Sequence, residues 1–212
     1  MDRKLSLGVS FAFAALCLVG QANASSTSLI NFPIADILKH REALYFVQAS
    51  GFAHNVNKGF AWGQSLTAGL FDVGEVGVSQ DFLGHQTYDL KVQLLDDQKK
   101  AGTVSVGIAA YNADTKKNDA FVSFRKDFSG FRLHASAYRS GKTFGVFGAD
   151  FGCPCGWSGA IEHQTGTNNQ TWVGVTSPQI VKGLTATFTS RLPWDGGAGP
   201  QYQVYLNYGF RF

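Results

Sequence analysis

The chain has 212 residues, of which 16% are charged, below the usual share of about a quarter, and its formal net charge is +3. With no basic run interleaved by aromatics, that balance excludes a nucleic-acid-binding class. Gly (25) and Phe (18) are abundant while Met (1) and Pro (5) are scarce, a composition that favours strands and turns over helices.

Arg3 and Lys4 precede an apolar run from Leu5 to Val19, and Ala22-Asn23-Ala24 supplies a small-x-small cleavage pattern. Residues 1–24 therefore read as a secretory signal peptide. The mature chain would start at Ser25 with a net charge of +2, since Arg3, Lys4 and Asp2 leave with the leader. Cys17 does not fit a lipoprotein anchor, because Leu16 stands where a small residue is needed. No other stretch approaches the ~18 apolar residues of a spanning helix. A secreted chain of this kind is either soluble beyond the inner membrane or a barrel in the outer membrane.

Residues 25–41 precede the first alternating stretch. Pro33 followed by IADILKHR predicts a short helix with Pro in its first turn. The segment reads either as a periplasmic tail or as a plug in or under a barrel. Its pattern Asn31-x-Pro33-x-Ala35-Asp36-Ile37-Leu38 resembles a segment that precedes the first strand in uncharacterised outer-membrane barrels.

From Glu42 onward, turn residues divide the chain into about twelve short segments: 42–53, 62–71, 74–83, 87–96, 103–112, 119–127, 130–139, 143–151, 156–164, 170–176, 183–192 and 201–212. Shifted boundaries would give ten or fourteen. Most segments alternate with a two-residue period. Tyr88, Leu90, Val92 and Leu94 are interleaved with Asp89, Lys91 and Gln93. Phe131, Leu133, Ala135 and Ala137 are interleaved with Arg132, His134, Ser136 and Tyr138. Leu184, Ala186 and Phe188 are interleaved with Thr185, Thr187, Thr189 and Arg191. The first segment, with Ala43, Tyr45 and Val47 on one parity and Leu44 and Phe46 on the other, does not declare its face. No connecting loop exceeds roughly a dozen residues, so none is long enough to fold inward as a large constriction. Trp62, Trp157, Trp172 and Trp194 fall near segment ends, where interfacial aromatics sit.

The last stretch, QYQVYLNYGFRF, alternates Val204, Leu206, Tyr208, Phe210 and Phe212 with polar or small residues, and ends on an aromatic. It resembles the closing strand of bacterial outer-membrane β-barrels. The resemblance implies an all-β, antiparallel up-and-down transmembrane barrel of about twelve strands spanning 42–212, in the outer membrane of a Gram-negative bacterium. It further implies contact with outer-membrane lipid, with Phe210 and Phe212 at the interface, and recognition of the last strand by the outer-membrane assembly machinery.

If the polar parity faces the lumen, Lys91, Arg125, Arg132, His134, Arg191 and Arg211 line it together with Glu75, Asp81, Asp89, Asp127, Asp150 and Glu162. These charges either line an aqueous pore or pair into a salt-bridged core. Twelve strands enclose more space than side chains fill in an eight-stranded barrel, and inward Gly69, Gly77, Gly107, Gly148 and Gly174 leave room along the wall; both favour the pore. His134 and Ser136 share a strand face and resemble the His-x-Ser of outer-membrane lipid A deacylases, but the adjacent Asn of those enzymes is missing and no orienting acid stands at a fixed spacing. Cys153-Pro154-Cys155 forms a turn-locking disulfide or carries idle thiols, with redox or metal chemistry as alternatives.

The expected function is a small porin-like channel for ions or small hydrophilic solutes, without cofactor, metal or enzymatic activity. A structural barrel that clasps another envelope protein is the second reading, and a lipid hydrolase using His134 and Ser136 the third.

Overall fold

The computed structural model describes residues 30–32, 34–52, 61–81, 84–112, 117–166, 169–192 and 201–212, with backbone alone at 52, 61, 81, 110, 117, 118 and 140. Twelve strands follow in order: β1 (Glu42–Phe52), β2 (Ala61–Leu70), β3 (Gly74–Asp81), β4 (Gln86–Asp97), β5 (Gly102–Asn112), β6 (Lys117–Phe128), β7 (Phe131–Ser140), β8 (Lys142–Gly152), β9 (Ser158–Gln164), β10 (Gln170–Thr176), β11 (Leu184–Leu192) and β12 (Gln201–Arg211). All begin and end within two residues of the bounds the alternation predicts. Each pairs with its sequence neighbours, and β12 closes on β1 in an antiparallel seam running from Glu42↔Arg211 to Phe52↔Gln201. Closure leaves no open edge, so the strands satisfy one another's backbone groups without water.

The two faces follow the alternation. Leu66, Leu90, Val122, Leu133, Phe188 and Leu206 are exposed on the outside, whereas Thr103, Ser105, Ser123 and Thr189 are fully buried within. An apolar exterior around a polar interior reverses the order of a soluble protein and suits a barrel bathed in lipid. β1 is the exception that explains its own ambiguity. Leu44 pairs with Gly209 and Phe46 with Asn207 on the inner face, while Tyr45 and Val47 face out opposite Tyr208 and Leu206. Its inner face also carries apolar Leu44 and Phe46, which border the space left beside the N-terminal segment, where Phe46 meets the Tyr205 ring at 6.3 Å.

The tryptophans divide. Trp62 is 50% exposed and shares the outward parity of Leu66, and Trp157 is exposed in the turn between β8 and β9. Phe210 and Phe212 are also exposed, and Phe210 stacks on Tyr208 at 5.7 Å. Trp172 is not an interfacial residue: it is 3% exposed and points inward on the parity of Gly174. Strand-end position alone misplaced it, since parity decides the face. Trp194 lies outside the described residues.

The segment before β1 forms no helix. It runs inside the wall and reaches the end of the barrel where β1 begins and β12 ends. His40 makes a parallel bridge with Gly69 of β2. At the β2–β3 turn, Phe71 and Asp72 take φ values of 52° and 59°, unusual for residues with a Cβ. His40 holds that turn: its N–H donates to Asp72 Oδ1 (2.7 Å), its Nδ1 accepts from the Phe71 N–H (3.3 Å), and its ring stacks on Phe71. Further in, Ala35 has no exposed surface at all, and Ile30, Ile34 and Leu38 are buried.

Candidate functional site

Strand register places the inward side chains in rows around the wall. Arg125, His134, Gly148, Glu162, Trp172 and Arg191 form one row, each the direct partner of the next. Asp127, Arg132, Asp150, Ala160, Gly174 and Thr189 form the next, nearer the termini. On the other side, Gly69, Glu75, Lys91, Gly107, Phe121, Tyr138 and Phe144 make a third.

The residues before β1 are held by these rows. Glu162, fully buried, accepts the backbone N–H groups of Ile30 (3.1 Å), Asn31 (3.1 Å) and Phe32 (3.4 Å), together with the Asn31 side-chain amide (3.2 Å). Lys91 Nζ donates to the Ile34 carbonyl (3.0 Å), and the Ala35 carbonyl accepts from Ser105 Oγ (2.6 Å) and Gln93 Nε2 (3.2 Å). The Leu38 N–H donates to Glu75 Oε2 at 3.0 Å. Here lies the reason the expected helix does not form. A helix would bond the Ile34 carbonyl to the Leu38 N–H, and the wall already holds both groups.

Several charges of the wall form ion pairs. Lys91 meets Glu75 at 2.9 Å, Arg125 meets Asp127 at 2.8 Å, and Arg132 meets Asp150 at 2.8 Å through Nε and 3.0 Å through Nη2. Asp36 bridges Arg125 and Arg132, the latter at 3.2 Å. Phe32 sits edge-on to Tyr138 (5.0 Å) and Phe144 (5.6 Å), and Tyr138 stacks between Phe144 and Phe121. An interior of mutual pairs, with a peptide strand laid through it, replaces the expectation of opposed charges facing open water.

Two of the inward glycines, Gly69 and Gly174, make room for the N-terminal segment. A Cβ on Gly69 would collide with the carbonyls of Leu38 and Lys39, and one on Gly174 would press on Thr189 and Ile30. Gly107 is covered by the Phe121 ring, and Gly77 lies against Thr67 and Asp89. Gly148 stands between His134 and Glu162. The constriction comes from the N-terminal segment, which no reading of loop length could reveal.

A cavity of about 1190 Å³ remains beside the segment. Thr176, Thr185, Thr187, Asn207 and Gln48 line its wall, Ile30, Asn31 and Ile34 its inner side, and Pro154, Trp157 and Lys182 its mouth among the termini-end turns. Arg211 lies at this rim, paired with Glu42 (2.5 Å) and largely exposed, rather than deep in the lumen. Cys153 and Cys155 are joined by a disulfide in the β8–β9 turn at the same mouth. Arg191 and Asp89 sit on the inner wall; the side chain of Asp81 lies outside the described residues.

His134 has an acid that spacing did not disclose: its Nε2 lies 2.6 Å from Asp150. Ser136, however, donates to Ser123 Oγ at 2.9 Å, and His134 Nδ1 has no partner among the described residues. The pair does not form a nucleophile–base contact. Among the described residues no group of His, Cys, Asp and Glu is placed to hold a metal.

Three solved structures share this architecture. A KdgM porin matches with a TM-score of 0.58 at 10% identity, over 79% of this chain and 99% of its own. The barrel has a porin fold. A KdgM porin in complex with disordered oligogalacturonate matches at 0.56 and 10% identity, over 80% and 99%. The outer membrane protein Omp33 of Acinetobacter baumannii matches at 0.50 and 11% identity, over 81% and 98%. No family model matches the chain, and no curated protein matches its sequence. A porin-fold barrel with an apolar exterior belongs in the bacterial outer membrane.

The sequence signalled the porin-fold wall but missed the groups that engage it. Asp36 is a lone carboxylate within the apolar run Ile34 to Leu38, and that isolation was the available clue. Phe32, Tyr138 and Phe144 gave no such sign, because two of them occupy the polar parity of their strands.

Proposed function

We propose that this chain is an outer-membrane channel for ions or small hydrophilic solutes, held shut by its own residues 30–41. The observation that carries this reading is how the segment is held. It rests on charged and hydrogen-bonding side chains of the wall, with Asp36 bridging Arg125 and Arg132, and a cavity lined by both polar and apolar side chains opens beside it. Phe32 adds an aromatic contact with Tyr138 and Phe144, while the main chain and Asp36 are held by polar contacts that water and solute can replace. Arg125 and Arg132 each keep a second carboxylate, Asp127 and Asp150, so the loss of Asp36 strands no buried charge.

Planar-bilayer recording tests it. The wild-type protein should show rare, brief conductance steps, and Asp36→Ala should raise the open fraction by about tenfold, the effect of losing one charge-assisted bond. Silence from both proteins overturns the channel reading.

A second reading, a barrel that clasps another envelope component, draws support from apolar side chains exposed in the β2–β3 and β10–β11 turns: Phe71, Val73, Ile180 and Val181. It predicts a partner that co-purifies with the wild type and is lost from a Phe71→Ser/Ile180→Ser variant whose barrel stays folded. Retention of every co-purifying protein by that variant would dismiss it.

A further inference from the structure

We infer that the lumen is a receptor for an extended peptide carrying an aromatic and a carboxylate side chain, of which residues 30–41 are the resident copy. The inference deepens the channel reading by naming a ligand class for the same site.

Its basis is which atoms the wall grips. Glu162 collects three consecutive backbone N–H groups, Glu75 a fourth, and Lys91, Gln93 and Ser105 take two adjacent carbonyls. His40 adds a main-chain bridge to Gly69. Main-chain groups are the same in every peptide, so these contacts recognise polypeptide in general. Side chains are read at three places: the Asn31 amide on Glu162, the ring of Phe32 among Tyr138 and Phe144, and, four residues after Phe32, the carboxylate of Asp36 between two guanidinium groups. The gripping side chains are themselves fixed. Lys91 is paired with Glu75, and Arg132 with Asp150, so little order must be imposed when a peptide enters. An acidic sugar could answer the guanidinium groups, but it offers no run of N–H donors to Glu162 and Glu75. The expected ligand is therefore an extended oligopeptide with an aromatic residue four positions before an acidic one.

The test uses the full-length Asp36→Ala protein in detergent micelles, where the resident segment is weakened, and a fluorescent N-acetylated peptide of the sequence Ile30 to Arg41. Fluorescence anisotropy should show saturable binding. Affinity should fall by at least about tenfold when the peptide is N-methylated at Asn31, Phe32 and Leu38, and by a similar factor when its Asp36 is replaced by Asn. A trisaccharide of uronic acids should not displace it. Absence of saturable binding, equal affinity of the N-methylated peptide, or displacement by the trisaccharide would each overturn the proposal. In bilayers the same peptide should block the steps of Asp36→Ala. Saturable binding without any conductance would remove the channel reading and leave the peptide site standing.

Discussion

Glu75 and Lys91 face each other across the β3–β4 ladder, 2.9 Å apart, and hold the two ends of one absent helical hydrogen bond, the Leu38 N–H and the Ile34 carbonyl. The pair is buried, so each member depends on the other for its charge. Lys91→Met should lower barrel stability by on the order of 3–5 kcal/mol, because it leaves a buried carboxylate without its cation. The double variant Glu75→Leu/Lys91→Met should lose clearly less. Heat-modifiable gel mobility reads both. Equal losses in the single and double variants would show that pairing is not the main interaction.

Glu162 and Glu75 grip opposite ends of the segment, so they should be separable. In Glu162→Ala, amide exchange at Asn31 and Phe32 should accelerate by about tenfold or more while Leu38 stays protected. In Glu75→Ala the order should reverse. NMR of the protein in micelles resolves these amides, and a uniform loss of protection in either variant would mean that the segment leaves as one unit.

Gly69 is the narrowest point of the seat. Gly69→Val should expel the segment near Leu38 and Lys39, whose carbonyls occupy the place of its side chain, and so increase conductance without dissolving the barrel. Gly209→Ala is the control, since its Cβ would approach only the Gly183 carbonyl, at 4.0 Å. Identical conductance of the two variants would contradict this placement.

Lipids brominated along their tails should quench Trp62 and Trp157 and spare Trp172, in variants that each retain a single tryptophan. The difference follows from exposures of 50%, 46% and 3%. Quenching of Trp172 to the level of Trp62 would return it to the lipid face.

The wall of this barrel was legible because lipid and lumen impose opposite demands on successive residues. The period-two pattern in β4, β7 and β11 therefore states both strand and face, and it correctly turned Arg132, His134 and Thr189 inward. The same logic could have removed Trp172 from the interface, since it shares the parity of Gly174. A plug was one of two readings of residues 25–41, but how the lumen would hold it was not legible. A helix over residues 34–41 is a reasonable local preference, but Lys91 and Glu75 lie 57 and 37 residues away from the groups they hold. Contacts of that reach leave no local pattern. The inward glycines were ambiguous in the same way, since an absent side chain marks space without saying whether solvent or peptide fills it. The acid beside His134 escaped because Asp150 is adjacent only through the β7–β8 register.

The seat of residues 30–40 is distributed over consecutive strands from Glu75 on β3 to Glu162 on β9, the latter 132 residues from Ile30. A partly assembled wall lacks some of these groups, and so has no complete seat for the segment. Yet β1, which follows that segment directly, must still wait for β12. Order in the first residues is thus a record of finished assembly: the barrel can seal itself only once nearly all of it exists.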